Sequence, residues 1–172
     1  EVMLYNLTKH GNRKVIFILG KGRLLNQSIV SKKPNALFCE AACPVQVIEI
    51  AEKQFLQLME QSHALTRSVL REYERNLWRM GHQLKNTTGN MQMERKIAAK
   101  LWKLGRDFGV DTEDGVMIDI DLTITLMADL VGAPRENVSR ACKVLTDRGL
   151  ICYGNKRFIL IDFDGLAKFY KM

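Results

Sequence analysis

Polar side chains between positions 135 and 143 have the types and the spacing needed to contact the edges of base pairs. Val138, Ala141, Cys142 and Leu145 recur at helical spacing in this stretch, so one face of the predicted helix is apolar. The opposite face carries hydrogen-bond donors of the kind that read bases in the major groove of DNA. This pattern predicts a helix whose exposed, arginine-rich side contacts DNA. The polar residues of that side are Arg135, Glu136, Asn137, Ser139, Arg140 and Lys143.

A preceding helix is needed to position this face. The helical spacing of apolar residues from Ile124 to Val131 stops at Gly132–Ala133–Pro134. Glycine suits the C-terminus of a helix because it adopts a positive φ without steric cost. Proline fits the first turn of the next helix, where its missing N–H is not needed. Two short helices joined by a tight turn predict a helix-turn-helix.

Two alternating runs after the second helix predict a β-hairpin. Leu150–Tyr153 and Arg157–Ile161 are typical of strands, and Gly154–Asn155 between them is a hairpin turn signal. This hairpin would be the wing of a winged helix, with Lys156 adding positive charge at its tip. Short helix pairs with a glycine turn also occur in enzyme cores and in protein-interaction modules. The basic wing and the basic chain favour DNA over these alternatives.

The composition fits a basic protein of one large or two small domains. The 172 residues are 47% hydrophobic, and 26 Lys and Arg against 19 Asp and Glu give a net charge of +7. This balance favours a polyanionic partner. No apolar run approaches the ~20 residues needed to span a bilayer, so no membrane partner is expected. Since the chain begins at Glu1 rather than Met, we expect it to be a fragment of a longer protein.

The four cysteines lack the spacing of a zinc site and contain no CxxC pair. No metal is therefore predicted, and reduced thiols in a cytoplasmic protein are the default. Cys39 and Cys43 are either a redox pair or two separate thiols, and Cys142 is expected in the core. An enzyme ranks last, since the sequence offers no nucleophile–base pair, phosphate loop or metal motif.

The first fifty residues predict a small β-domain. Val2–Leu7, Lys14–Leu19 and Val45–Ile50 are β-branched or alternating runs separated by glycine turns. Short strands at this spacing suggest a small barrel or roll, and a short helix is predicted from Glu52 to Met59. The predicted fold class is α+β, with a partial β-roll over residues 1–61.

A long helix is predicted over residues 62–86. Its apolar positions step by three and four, which is the heptad spacing of a coiled-coil seam. The seam either packs on the β-domain or joins two copies of the chain. A homodimer is favoured because a DNA-reading helix usually needs a two-fold partner to address half-sites about 34 Å apart. The arginines of the opposite surface, among them Arg79, are expected to be solvated. The seam residues are Leu70, Tyr73, Leu77, Met80 and Leu84.

Residues 87–172 are predicted to form the DNA-binding domain. The polar stretch Asn86–Asn90 is the best candidate for a hinge. An amphipathic helix is predicted over residues 93–108. It is followed by an acidic loop at Asp111–Gly115 and by a strand at Val116–Ile120 that leads into the helix-turn-helix.

The order of these parts resembles the Crp/Fnr family of bacterial transcription regulators, and the stretch ADLVGAPRENVSRACKVLTDRGLI carries the strongest likeness. The stretch is similar both to the R-E-x-x-x-R of the catabolite activator and to the E-x-x-S-R of the Fnr branch. The resemblance implies a cyclic-nucleotide-binding-type β-roll, a dimer helix and a winged helix-turn-helix. It also implies that Arg135, Glu136 and Arg140 read base edges, with a further base or phosphate contact from Ser139.

This carry-over agrees with the chemistry of base pairs, since arginine pairs with guanine and glutamate accepts from the cytosine amino group. We therefore expect a G·C-containing half-site in an inverted repeat. Glu136 and Arg140 lie four residues apart and are expected to brace each other. Other polar residues are assigned to phosphates, which fix the register of the protein without reading sequence. These phosphate contacts are Thr123, Asn137, Lys143, Lys156 and Arg157.

The effector region departs from the nucleotide-binding members of the family, which hold the ribose and phosphate with Gly-Glu and Arg-Ser pairs. The corresponding stretches here are Leu25–Asn26–Gln27 and Pro34–Asn35–Ala36. A phosphodiester without a cation loses its charge-assisted contacts, so the sequence disfavours cyclic AMP and favours an uncharged or aromatic small molecule. The predicted effector pocket comprises Leu25, Asn26, Gln27, Asn35 and Ala36.

The predicted function is that of a homodimeric transcription regulator that reads an inverted-repeat operator and is controlled by a small-molecule or redox effector in the β-roll. The alternative is a constitutive dimeric DNA-binding protein whose roll senses nothing. The resemblance also implies a contact between Asp111–Asp114 and RNA polymerase, although a solvated acidic turn explains the same residues.

Overall fold

The computed structural model describes residues 1–9, 11–25, 28–31, 33–87 and 91–171, without the side chains of residues 85–87. The described chain divides into two compact units. One comprises Glu1–Asn6 and Ile16–Lys85, and the other comprises Leu7–Val15 and Asn86–Met172. The boundary near residue 85 lies beside the predicted one, whereas Leu7–Val15 groups with the C-terminal residues rather than with the predicted domain 1–61.

The first unit contains most of a three-stranded sheet with the order β2-β1-β3. Strands β1 and β3 are antiparallel, with Val2 opposite Ala41 and Tyr5 opposite Phe38. Val2, Leu4, Phe17 and Leu19 form the buried cluster of this unit. Its elements, with β2 shared between the two units, are β1 (Val2–Leu7), β2 (Arg13–Leu19), β3 (Phe38–Ala41), α1 (Glu52–Gln61) and α2 (His63–Thr87).

The prediction of a strand at Val45–Ile50 is wrong. These residues belong to no sheet in the described chain, and Ile48 is 88% exposed. The alternating pattern of the segment specifies two faces, but a strand also needs a neighbour for its backbone hydrogen bonds. The third strand is instead Phe38–Ala41, which the sequence analysis did not predict.

Helix α2 contacts the sheet through a mostly polar face. Arg79 lies over the Phe17 ring with 5.0 Å between the guanidinium carbon and the ring centroid. Gln83 Nε2 donates to the carbonyl of Ile16 at 2.8 Å. The expectation that the arginines of this helix are all solvated is therefore wrong at Arg79, because its guanidinium stacks on an aromatic ring.

The apolar seam of α2 points away from these contacts. Among the predicted seam residues, Leu77 is 73% exposed and Leu84 is 61% exposed. The alternative in which the seam packs on the β-domain is therefore wrong, because the polar face of the helix occupies that position. Among the described side chains of this helix, the buried one is Val69, which lies outside the seam.

The second unit is built around α3, which packs against both α5 and α6. A four-stranded sheet of order β4-β5-β7-β6 lies beside it, and Ile97, Leu101 and Phe158 are completely buried. Its elements are α3 (Met93–Phe108), β4 (Gly109–Thr112), β5 (Gly115–Ile118), α4 (Ile124–Val131), α5 (Arg135–Asp147), β6 (Ile151–Gly154), β7 (Arg157–Leu160) and α6 (Phe163–Lys171).

The predicted acidic loop is shorter than expected. Asp111 and Thr112 belong to β4, where Asp111 pairs with Val116, and the turn itself contains Glu113 and Asp114. The acidic composition suggests a longer loop, but a two-residue turn joins β4 and β5 in a hairpin and so places Asp111 and Thr112 in a strand. Of the predicted hinge Asn86–Asn90, residues 88–90 lie outside the described chain. In the part that the structure describes, no helix combines the length and the apolar character that crossing a membrane requires.

Candidate DNA-binding surface

Helix α4 has a defined cap at each end. The hydroxyl of Thr123 accepts a hydrogen bond from the backbone N–H of Leu126 at 3.0 Å, which is the standard N-cap arrangement. Gly132 ends the helix in the left-handed region, with φ 71° and ψ 48°. Its N–H and that of Ala133 both donate to the carbonyl of Ala128. The predicted glycine turn is therefore present, and the hydroxyl of Thr123 is engaged as a cap.

Helix α5 begins at Arg135, immediately after Pro134. The proline takes the N-cap position rather than the predicted place in the first turn. From the N-cap position its carbonyl accepts a hydrogen bond from the N–H of Asn137 at 3.1 Å. The apolar face that includes Val138 and Leu145 is fully buried. This burial fixes the rotation of the helix about its own axis, because a rotated helix would expose these side chains.

The polar face of α5 is directed to solvent. All four of the predicted base-reading side chains are exposed: Arg135, Glu136, Ser139 and Arg140. Arg140 donates from Nη2 to Asn137 Oδ1 at 2.6 Å. In the described chain, Arg140 therefore pairs with Asn137 rather than with Glu136, so the expected brace between Glu136 and Arg140 is absent.

The wing is a hairpin of β6 and β7 joined by a two-residue turn. Asn155 and Lys156 have φ values of 50° and 60°, and Gly154 pairs with Arg157 across the ladder. The turn therefore lies one residue later than the predicted Gly154–Asn155. Positive φ at both central residues is the type I′ geometry, which follows the natural twist of a hairpin.

The wing is attached to the segment that leads into α4. The backbone N–H of Leu122 donates to the carbonyl of Lys156 at 2.7 Å, so the wing tip is tied to the residue next to Thr123. The guanidinium of Arg157 forms ion pairs with Asp119 and, at 3.5 Å, with Asp121. The sequence analysis missed both aspartates, although their alternation with Ile118 and Ile120 placed them on the exposed side of a strand.

The structure brings some of the predicted phosphate contacts to the same surface. Lys143 is exposed on α5, and Lys156 is exposed at the tip of the wing. Asn137 is half-buried beside Arg140, and the charge of Arg157 is partly neutralised by the two aspartates. The assignment of these side chains to phosphates stays a prediction.

The predicted effector residues lie in the β-domain, and three of the five are described. Leu25 packs against the buried cluster of the sheet, and Asn35 Oδ1 accepts from the backbone N–H of Ser28 at 3.2 Å. Ala36 is exposed, and Asn26 and Gln27 lie outside the described residues. Leu25 and Asn35 thus have contacts within the β-domain, and their role in an effector pocket stays a prediction.

The cysteines are free thiols. Cys39 and Cys43 are exposed, and Cys142 is buried on the apolar face of α5. Burial raises the pKa of the Cys142 thiol to about 11, because a thiolate would lose its hydration there. Within the described residues, no cluster of histidine, cysteine and carboxylate side chains has the arrangement of a metal site.

Comparisons with known proteins converge on one family. Residues 95–169 match the model of the Crp-like helix-turn-helix domain. The chain is 26% identical over 117 residues to the global nitrogen regulator of Nostoc sp. PCC 7120. The aligned region covers 68% of this chain and 52% of that protein. It is 23% identical over 159 residues to the CRP-like cAMP-activated global transcriptional regulator of Mycobacterium tuberculosis, covering 92% of this chain and 70% of that protein.

A solved structure extends the likeness to nearly the whole fold. A CRP/FNR-family transcriptional regulator of Thermus thermophilus superposes with a TM-score of 0.78 at 20% identity, covering 99% of this chain and 84% of that one. At this identity the match establishes the fold alone. Residues 95–169 are therefore a Crp-like helix-turn-helix domain, and the fold of the chain is similar to that of CRP/FNR-family transcriptional regulators.

The match over residues 95–169 assigns the surface described above to a helix-turn-helix DNA-binding domain. The fold and the relatives of this chain are those of transcription regulators rather than of enzymes. The chain spans about half the length of the cyanobacterial nitrogen regulator that it matches, at 52%.

Proposed function

We propose that this chain reads an inverted-repeat DNA operator as a homodimer under the control of a small molecule. The observation that carries the proposal is the arrangement of α5. Its apolar face is buried, and its four predicted base-reading side chains are exposed on the opposite face. A helix held in this way presents donors and acceptors in a fixed geometry, as recognition in the major groove requires.

The roles of individual residues follow from their chemistry. Arg135 and Arg140 would pair with guanine and Glu136 with cytosine, while Ser139 would add a base or phosphate contact. Lys143 and Lys156 are compact charges suited to phosphate oxygens, which carry no sequence information. The exposed surface therefore combines base reading on α5 with register-fixing contacts on α5 and the wing.

The homodimer is supported by the exposed seam of α2. The five predicted seam residues are between 38% and 73% exposed in the single chain, and their heptad spacing suits a parallel pair of helices. A row of apolar side chains along one helix is costly to leave in water. Two copies paired along this row would supply the two recognition helices that an inverted repeat requires.

Control by a small molecule is supported by two buried acceptors on α2. Within the described chain, Glu72 Oε1 and Asn76 Oδ1 are buried without a hydrogen-bond partner, whereas Glu72 Oε2 accepts from Arg23 Nη1 at 2.9 Å. Buried acceptors without a donor cost free energy, and a ligand that carries N–H or O–H donors would satisfy them. The M. tuberculosis relative is named as activated by cyclic AMP. We do not carry that effector over, because the Glu-and-Arg pattern for ribose and phosphate is absent from Leu25–Gln27 and Pro34–Ala36.

Two experiments on the full chain test the proposal. Selection of sites from random duplex DNA should enrich an inverted repeat with G·C pairs in each half-site, and enrichment of no sequence would overturn DNA reading. Operator affinity is then measured with a panel of donor-bearing small molecules and with cyclic AMP. A change in affinity with one ligand identifies an effector, whereas no change with any ligand favours constitutive binding. In the proposed role the protein acts in the cytoplasm, and contact of the acidic turn at Glu113–Asp114 with RNA polymerase is tested by transcription in vitro with charge-reversed variants.

A further inference from the structure

The turn between β1 and β2 belongs to the same compact unit as the helix-turn-helix. Two basic side chains from the start of β2 contact the C-terminal end of α4. Arg13 Nε donates to Asp129 Oδ2 at 3.0 Å, and Lys14 Nζ donates to the carbonyl of Leu130 at 3.2 Å. The members of each pair are separated by 116 residues in sequence, so neither contact is local.

The contact of Lys14 is the kind that stabilises the end of a helix. The last four carbonyls of an α-helix have no partner within the helix, and Leu130 supplies one of them. An ammonium at this position also meets the negative end of the helix dipole. Burial lowers the pKa of Lys14, with a smaller contribution from the charge of Lys96. The half-buried charge therefore gives up part of its hydration to make this contact.

Lys14 also lies against the residue that sets the angle between the two helices. A Cβ placed on Gly132 would lie 2.8 Å from Lys14 Nζ and 3.3 Å from its Cδ. The positive φ favours glycine at this position, and a Cβ there would force the end of the lysine side chain to shift away from the turn. The direction of α5 depends on the backbone conformation of Gly132, so the lysine contacts the residue that sets this direction.

We infer that Arg13 and Lys14 are positioning residues for DNA reading: they hold the C-terminal end of α4 and the turn at Gly132, and so fix the orientation of α5. This inference rests on the proposed DNA binding.

The test uses the full chain with Lys14→Met, which keeps an unbranched apolar stem of similar reach but removes the charge and the donor. Arg13→Gln is the second variant, and Lys14→Arg restores the charge. Lys9→Met is the matched control, since Lys9 is exposed in the same turn. The first readout needs no DNA: hydrogen exchange of the Gly132 and Ala133 amides should become about two- to tenfold faster in Lys14→Met, as expected for losing a cation at a helix end. It should return toward the wild-type rate in Lys14→Arg and stay unchanged in Lys9→Met.

The second readout is the ratio of affinities for the selected operator and for an unrelated duplex of equal length. In Lys14→Met this ratio should fall about two- to tenfold while the salt dependence of binding stays unchanged, because orientation is lost rather than a phosphate contact. A salt slope reduced by about one would overturn the inference in favour of a direct phosphate contact. An unchanged ratio with faster exchange would overturn it in favour of a purely structural role. Failure of the wild-type chain to select any operator would count against the proposed function instead, and the exchange measurement would still test the contact.

Discussion

The side chain of Asn137 accepts a hydrogen bond of 2.6 Å from the guanidinium of Arg140 on the exposed face of α5. The two residues are one helical turn apart, so the amide limits the rotation of the arginine before any DNA is present. A guanidinium that is already oriented loses less side-chain entropy when it pairs with a base. We therefore expect Asn137 to orient Arg140, and its contact with a phosphate stays a prediction.

Replacing Arg140 by alanine should cost about 1–3 kcal/mol against its cognate base pair and relax the preference at that position. Asn137→Ala should weaken the same preference by a smaller amount, since the guanidinium remains but is no longer oriented. Site selection followed by titration against single-base operator variants measures both effects. An unchanged site profile for Arg140→Ala would refute the base-reading assignment.

Lys156→Ala should weaken binding to all DNA sequences alike and reduce the slope of log affinity against log salt by about one. Arg157→Ala at the neighbouring position is the matched comparison. Its guanidinium is paired with Asp119 and Asp121, so its removal should change the salt slope less than the Lys156 variant does. The opposite order of the two slopes would show that Arg157 leaves the aspartates to contact phosphate.

Leu77→Glu should prevent the proposed dimer from forming, because it places a charge in the centre of the apolar seam. Leu77 is 73% exposed in the single chain, so the substitution should leave the fold of the chain intact. Arg75→Glu is the control, since it adds the same side chain at an exposed position of the same helix. Sedimentation equilibrium gives the association state, and a dimeric Leu77→Glu variant would exclude the seam as the interface.

Gly132→Ala should destabilise the second unit through the backbone and through Lys14. A residue with a Cβ pays about 1–2 kcal/mol at a left-handed φ, and this Cβ must also displace the lysine. Gly149→Ala isolates the backbone cost, because Gly149 has φ 69° and a Cβ there meets nothing within 4 Å. Urea denaturation should show a larger loss at position 132. Equal losses at the two positions would mean that the lysine moves away freely.

The stability of the second unit should fall as the pH rises from about 9 to about 11. The pKa of the Cys142 thiol is raised from 9.0 to about 11 by burial, so the unfolded chain releases this proton at a lower pH than the folded chain. The stabilising contribution is therefore complete below pH 9 and is lost as the pH rises toward 11, with a limit of about 2–3 kcal/mol. Denaturation across this range measures the free energy of unfolding of the wild type and of Cys142→Ala. Its decrease with pH should be steeper for the wild type. Parallel curves would contradict the shifted pKa.

Much of the DNA-binding surface could be predicted because its signals are local. These signals are the apolar spacing of α4 and α5, Gly132 at the turn and Pro134 before the second helix. All of them lie between Ile124 and Asp147. The predicted turn of the wing lies one residue too early, because the prediction places Gly154 in the turn. In the structure, Asn155 and Lys156 are the turn residues and adopt the positive φ values. Asparagine tolerates this region better than most residues, which was the available signal.

Sequence by itself determined that the chain carries a helix with an apolar face and an arginine-rich face, preceded by a second helix and followed by a basic hairpin. Periodicity within one element decides these features, because neighbours at i+3 and i+4 share a face whatever the rest of the chain does. Only the tertiary structure decided that Val45–Ile50 lacks a strand partner in the described chain, that α2 meets the sheet with its polar face, and that Arg13 and Lys14 contact α4. Each of these depends on groups far apart in sequence, and no local pattern specifies which donor meets which carbonyl across 116 residues.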